Sequence, residues 1–295
     1  IIEGVISKLK FHDPSLSAHS KIGGLIGSIN NSTAGDVSIK NSKALVDIDA
    51  EGTFFGGIAG SMTTNMNMAT PTDTVYGSVV QGLILASNTG NNNFRGSFFG
   101  FAEKTKISRS VALTTIEGKT HLGGAIGKSQ EGNIISETYV KSTIELTSSA
   151  SAVYYGGLIG ESAGGGPANQ APNLSDNHVN VILKNVAGCF TTDAKYCGAI
   201  IGKNSVSSIP YIITNTIVEV QDFNGSGSPF ANSNAALTRA SNTVGTLSPS
   251  NIVFNNSSCP GAGPFNITSG SCFPSFVNRW REFGYSIEGL NEVYH

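Results

Sequence analysis

A glycine-framed apolar pentapeptide recurs along the chain, and the recurrence limits the fold more than any single residue does. Four copies are close: GGLIG on Gly23, Gly24 and Gly27; GGIAG on Gly56, Gly57 and Gly60; GGAIG on Gly123, Gly124 and Gly127; GGLIG on Gly156, Gly157 and Gly160. Two are looser, GSFFG from Gly96 and GAIIG from Gly198. Successive starts lie 33, 40, 27, 33 and 42 residues apart. A period of that size means one structural unit stacked on itself.

A second motif follows each pentapeptide. It is anchored on Ile39, Val75, Ile107, Ile135, Leu174 and Ile212. Three residues on stands a small polar residue, Ser42, Ser78, Ser110, Thr138, Asn177 or Asn215. Five on comes Ala44, Val80, Ala112, Val140, Val179 or Ile217, and nine on Ile48, Ile84, Ile116, Ile144 or Leu183, with Gln221 breaking the sixth copy. Apolar residues fall mostly on one parity, with a switch near the polar position. That is a strand with a bend or bulge. Val, Ile, Thr and aromatics favour the same reading, and no capped 3.6-residue stripe competes with it.

One repeat therefore holds three short strands: the pentapeptide, the anchor segment and the segment through +9. No repeat can bury its apolar face alone. Stacked in parallel at about 4.8 Å per coil, six coils make a rod of about 29 Å. The expected inward ladder is Leu25, Ile58 or Ala59, Phe98 or Phe99, Ile126, Ile159 and Ile201. Paired glycines allow a sharp turn and close approach of neighbouring coils. The polar +3 column suits a corner, where hydroxyls and amides bond to one another and to turn backbone. The fold class is all-β, a parallel β-helix or solenoid of about six coils, right-handed by the crossover rule.

The pattern of an aromatic or apolar residue, GG, two apolar residues and G, followed by an I-x-N/S-S/T-x-A/V strand, resembles the GLUG-motif repeats of bacterial secreted and surface proteins. Tyr154-Tyr155-GGLIG and Phe54-Phe55-GGIAG carry it best, and it covers about residues 20 to 220. The resemblance implies an adhesin-like surface protein, and it supplies no catalytic residues. The copies from Gly96 and around Cys197 to Gly202 depart from the pattern, so distortion of those coils is expected.

Composition agrees with an extracellular solenoid. Charged residues are only 13% and net charge is −2, which gives no footprint for nucleic acid or an anionic membrane. No apolar run approaches the length needed to span a bilayer. The opening at Ile1, without a leader, suggests a piece of a longer protein. Four cysteines in loop-like sequence suggest two local disulfides, Cys189 with Cys197 and Cys259 with Cys272, free thiols being the alternative.

The repeat fades after Gln221, dividing the chain into a solenoid at 1–221 and a C-terminal cap or tip at 222–295. The aromatics Phe265, Phe273, Phe276, Trp280, Phe283 and Tyr285 suit a cap core, since the last coil must be covered. The alternative is a tip in which Trp280, Tyr285, Arg279 or Arg281 contacts a sugar or a partner protein. Insertions at 61–73, 86–95, 161–173 and 185–197 are either a binding face or tolerated variation.

Evidence for catalysis is thin. The acids Asp47, Asp49 and Glu51 share one outward parity, which strand alternation explains. The run DIDAEG begins like a calcium loop, but Ile58 stands where the twelfth-position acid belongs. His12, His19, His121, His178 and His295 occupy unrelated repeat positions. Gly198 to Lys203 ends in Asn204, not in the Ser or Thr of a phosphate loop. No metal or cofactor is expected. The expectation is a non-enzymatic bacterial surface adhesin or fibre tip that recognises a glycan or surface protein of another cell. A homotrimeric fibre is compatible with it. The alternatives are a polysaccharide-active lyase or glycosidase and a structural spacer.

Overall fold

A computed structural model of the chain describes residues 1–13, 19–30, 37–63, 73–85, 93–147, 153–163, 172–184, 195–198, 200–204, 212–214, 216–222, 238–239 and 252–255. Every regular element among them is a strand. The strands form four parallel sheets of seven, eight, six and seven strands, and the chain visits the sheets in that order once per coil.

The fourth coil shows the unit. Its strands are Lys106–Ser108, Val111–Gly118, His121–Gly123 and Ile126–Gln130. Each coil thus has four strands, not three. The pentapeptide is not a strand but a corner: its first glycine ends one strand and its fourth residue begins the next. Six complete coils are followed by the strands Ile212–Thr214, Thr216–Asp222, Thr238–Arg239 and Ile252–Asn255. The last two extend the fourth and second sheets past residue 221, which itself lies within Thr216–Asp222.

Interior positions follow from alternation. In Lys43–Ala50, Ala44, Val46, Ile48 and Ala50 are buried while their neighbours are half-buried. Residues one coil apart stack in register, for example Ile48 with Ile84, then Ile116, then Ile144, then Leu183. Both members of the expected inward pairs are buried, Ile58 with Ala59 and Phe98 with Phe99. Fully burying an isoleucine or phenylalanine side chain contributes roughly 1.5–3 kcal/mol, so the stacked column dominates stability. Leu25 is only half-buried, as are Leu9, Phe11, Ile22, Ile26 and Ile29. These belong to the first coil, whose strands are described pairing with those of the second coil.

The polar column is the corner between the first and second sheets. The residue before it adopts a left-handed backbone in every complete coil: Gly4, Asn41, Gly77, Arg109, Glu137 and Asp176. This is the bend that reverses parity. Ser42, Ser78, Ser110 and Thr138 donate their hydroxyls to the carbonyl two residues back, at 2.8, 3.0, 2.8 and 2.9 Å. Their oxygens also accept from the coil before: Val5 N–H donates to Ser42 Oγ, Ser42 N–H to Ser78 Oγ and Ser78 N–H to Ser110 Oγ, at 3.2 Å each. Asn177 takes the same part, accepting from Thr138 N–H at 3.1 Å and donating to the Ile135 carbonyl at 2.8 Å. The column is stitched mainly through backbone, not from side chain to side chain.

The sixth copy needs a one-residue correction. Leu174 pairs with Ile213, not Ile212, and Val179 with Val218, not Ile217. The polar member is then Thr216, fully buried, and the ninth position is Asp222. The shift keeps Val218 and Val220 beneath Val179 and Val181. The two departing pentapeptides keep the glycine stacking, and at the second of them the pairing with Thr238–Arg239 shifts register between Ile201 and Lys203. Gly96 stacks between Gly56 and Gly123, and Gly198 stacks on Gly156.

Candidate functional site

The glycine corner brings two outward strand faces together. A Cβ on Gly56 would lie 2.1 Å from the Ala59 carbonyl and 2.6 Å from that of Phe98. One on Gly60 would lie 2.6 Å from Ile22 N and 2.7 Å from the Phe54 carbonyl. Real Cβ contacts do not approach so closely, so the third and fourth sheets meet at an angle only glycine permits.

Across this angle, outward side chains of the third sheet meet outward side chains of the fourth sheet one coil further on. Phe54 packs edge-on to Phe101, with ring centroids 5.7 Å apart. Lys128 Nζ lies 5.4 Å from the Phe94 centroid. His121 Nε2 lies 3.1 Å from Glu161 Oε2. Lys203 Nζ lies 4.8 Å from the Tyr154 centroid. Outward groups can touch only where the surface is concave, so a groove runs along the rod here. Its floor is a ring ladder: Phe54 on Phe94 at 5.0 Å, Phe94 on His121 at 4.4 Å and His121 on Tyr154 at 4.4 Å.

His121 is held at both ring nitrogens. Nδ1 is 3.1 Å from Thr120 Oγ1, Nε2 faces Glu161, and the residue is 7% exposed. Burial lowers its pKa from the ordinary value, against the raising effect of Glu161. Lys128 Nζ also reaches Glu161 Oε2, at 3.5 Å. With both nitrogens engaged, His121 is an anchor of the groove floor rather than a free base.

A second cluster lies where the second sheet hands over to the third. Glu117 stacks on Glu145, which stacks on Lys184. Glu145 pairs with Lys184 at 3.6 Å. Burial raises the Glu117 pKa, reinforced by Glu145 and Asp49. Beneath them, Arg95 occupies an interior position between Phe55 and Leu122 and is wholly buried. One Nη donates to the Ala50 carbonyl at 3.2 Å, and the guanidinium lies 4.6 Å from the Phe55 centroid. Its Nε and other Nη have no hydrogen-bond partner. Burial lowers its pKa to about 9, offset in part by Asp49.

A buried corner in the fourth coil centres on Asn133. Its amide donates to the Ala102 carbonyl, Ser129 Oγ and the Gln130 carbonyl at 3.0, 2.7 and 3.1 Å, and its carbonyl oxygen accepts from Thr105 N–H and Oγ1 at 2.7 and 2.8 Å. Lys104 and Glu131 are buried beside it, 3.6 Å apart.

Of the residues singled out from sequence, His121 stands in the groove and the others fall elsewhere. Trp280, Tyr285, Arg279 and Arg281 lie outside the described residues, as do Cys189, Cys259, Cys272 and His295; of Cys197 and His19 only the backbone is described. Asp47 is part of a solvated face, with His12 at 2.9 Å and Lys10 at 3.8 Å. Among the described residues, no group of three or more His, Cys, Asp or Glu side chains could hold a metal ion, and no helix is long and apolar enough to cross a membrane. The groove was missed from sequence, although the signal was there: Lys21, Phe54, Phe94, His121 and Tyr154 stand two residues before successive first glycines.

Comparison of the chain with protein-family models, with curated proteins and with solved structures found no match.

Proposed function

We propose that this chain is a non-enzymatic, adhesive rod of the bacterial cell surface, a GLUG-like repeat segment that recognises a glycan or a surface protein of another cell. The supporting observation is the contrast between its corners. The glycine corner takes two residues in each complete coil: 24–25, 57–58, 97–98, 124–125, 157–158 and 199–200. The polar corner also takes two: 4–5, 41–42, 77–78, 109–110, 137–138 and 176–177. The other two corners vary freely. After the second sheet the link is residue 51 alone in one coil and 185–194 in another; after the fourth it is 104–105 in one and 164–172 in another. Strict scaffold corners alternating with free-length links are what a presenting rod needs, and variable links in solenoids often carry the binding face.

In this reading the segment 222–295 closes the rod, with Cys189 joined to Cys197 and Cys259 to Cys272, and Trp280, Tyr285, Arg279 and Arg281 add contacts at the tip. The test is binding of the full chain to a glycan array and to cells. It is paired with a variant in which 164–172 is replaced by the two-residue link Lys-Thr of the third coil, and with Trp280→Ala. Loss of binding in either variant, with the unfolding temperature kept, is the expected result. Binding by neither the chain nor its variants to any glycan or cell overturns the reading.

One observation favours an enzyme instead. Two stacked carboxylates, Glu117 and Glu145, with burial raising the pKa of Glu117, are an arrangement used for acid–base work. Release of reducing sugar ends from a polysaccharide, abolished by Glu117→Gln, would establish that alternative.

A further inference from the structure

The groove along the glycine corner carries an inference about the ligand. We propose that it binds a linear, carboxylate-bearing polysaccharide laid along the rod axis. This deepens the adhesive reading and rests on it.

The first argument is charge. Among the described residues, Lys21, Lys128 and Lys203 line the groove against one carboxylate, Glu161, in a chain whose formal net charge is −2. Glu161 is turned inward onto His121 and Lys128, with 10% of its side chain exposed, whereas 26% of the Lys128 side chain reaches solvent. The groove therefore shows an acidic ligand ammonium groups and little opposing charge.

The second argument is spacing. Lys128 stacks on Glu161 and Glu161 on Lys203, so the two lysines stand at one register position two strands apart. That separation is about 10 Å along the axis. Each ammonium rests over a ring, Phe94 or Tyr154, and so is held in place. Two charges held at one fixed spacing suit a polymer whose own charges recur, since the second contact is intramolecular once the first is made.

The third argument excludes the other anionic polymer. Phe94 and His121 have a ring on each side within 5.0 Å, so their faces are taken. Binding of single-stranded nucleic acid draws on free aromatic faces for base stacking. What this floor offers instead is ring edges and the exposed Ser28, whose hydroxyl lies 2.9 Å from that of buried Ser61. Those groups suit sugar hydroxyls.

The test is titration of the full chain with an alginate oligosaccharide, a neutral cello-oligosaccharide and a single-stranded oligodeoxynucleotide. Alginate should bind, more weakly as salt rises, and the neutral sugar should bind far less. Lys128→Met combined with Lys203→Met should weaken alginate binding at least roughly tenfold, as expected for losing two charge-assisted contacts. Lys203→Met alone, which leaves the Lys128–Glu161 pair intact, should give a smaller loss in the same direction. Lys43→Met, on the outer face of the second sheet, should change nothing. Absence of alginate binding, equal affinity in the double variant, or tighter binding of the oligonucleotide overturns the inference. If cells or other glycans are still bound while alginate is not, only the groove ligand is wrong; if nothing is bound, the adhesive reading falls with it.

Discussion

Ser97 Oγ lies 2.6 Å from Thr114 Oγ1 in the interior, and Thr114 Oγ1 lies 3.0 Å from Ser142 Oγ. This buried hydroxyl chain sits where other coils have glycine against valine. A Cβ on Gly57 would fall 2.1 Å from Val80 Cγ1, and one on Gly124 2.7 Å from Val140 Cγ1. At the corresponding place above Ser97 the chain has Ala112 instead of valine. The serine is tolerated because the next coil has given up two methyl groups. Gly57→Ala should therefore destabilise by more than about 3 kcal/mol, since Val80 and the Ser97 carbonyl both block the new methyl. Ser97→Ala should cost only about 1 kcal/mol, for a hydroxyl lost from Thr114. Denaturant unfolding of the two variants checks the difference.

His121 makes stability depend on pH. Its folded pKa is lowered by burial, so the unfolded chain binds more protons as pH falls through the ordinary histidine value. Its contribution is complete above that value, about 6.5, and declines below it toward the folded pKa. Thermal melts of the wild type should fall from pH 8 to pH 5 more steeply than those of His121→Gln. Parallel curves for the two proteins would show that His121 does not titrate differently in the two states.

Glu117 has the opposite sign. Burial, Glu145 and Asp49 raise its folded pKa, so ionising it in the folded state is unfavourable. Its contribution is fully present below the ordinary glutamate value and is lost as pH rises through the folded one. Glu117→Gln should therefore raise the unfolding temperature near pH 8, and the gain should shrink as pH falls toward 4.5. An unchanged or lowered unfolding temperature at pH 8 would contradict this.

Arg95 offers the clearest gain in stability. A buried guanidinium with one hydrogen bond and two nitrogens lacking partners is a desolvated charge with poor compensation. Arg95→Met keeps the length of the side chain and removes the charge. The expected outcome is an unfolding temperature equal to or above that of the wild type, read by calorimetry. A fall of several degrees would mean that the Ala50 contact and the attraction of Asp49 outweigh the cost of burial.

Much of the architecture could be read from residue spacing, because stacking imposes one chemistry on each column. Ile39, Val75, Ile107, Ile135 and Leu174 announce a buried column, and Ser42, Ser78, Ser110, Thr138 and Asn177 announce the corner that follows. The pentapeptide misled in one respect: apolar residues between glycines look like a strand, but the glycines serve backbone contacts across a bend. Ile212 and Ile213 are equally apolar, so the sixth register is decided only by which of them leaves Thr216 at the corner and pairs Val218 with Val179. The groove lay beyond a one-coil view, since His121 and Glu161 belong to neighbouring coils and to different sheets. Asn133 was hidden for a similar reason: its partners Ala102, Thr105 and Ser129 come from two coils.

The alternation of strict and free corners has an engineering consequence. Each coil is delivered as two rigid arms, one bent at the polar corner and one at the glycine corner, and the joints between arms accept one residue or ten. Foreign peptides spliced into the longer joints, at 147–152 or 185–194 after the second sheet and at 164–172 after the fourth, should be displayed at successive heights on one side or the other of the shaft while the buried joints at Thr120 and Asn133 stay intact, making the molecule a ruler on which epitopes can be set at intervals of a single coil.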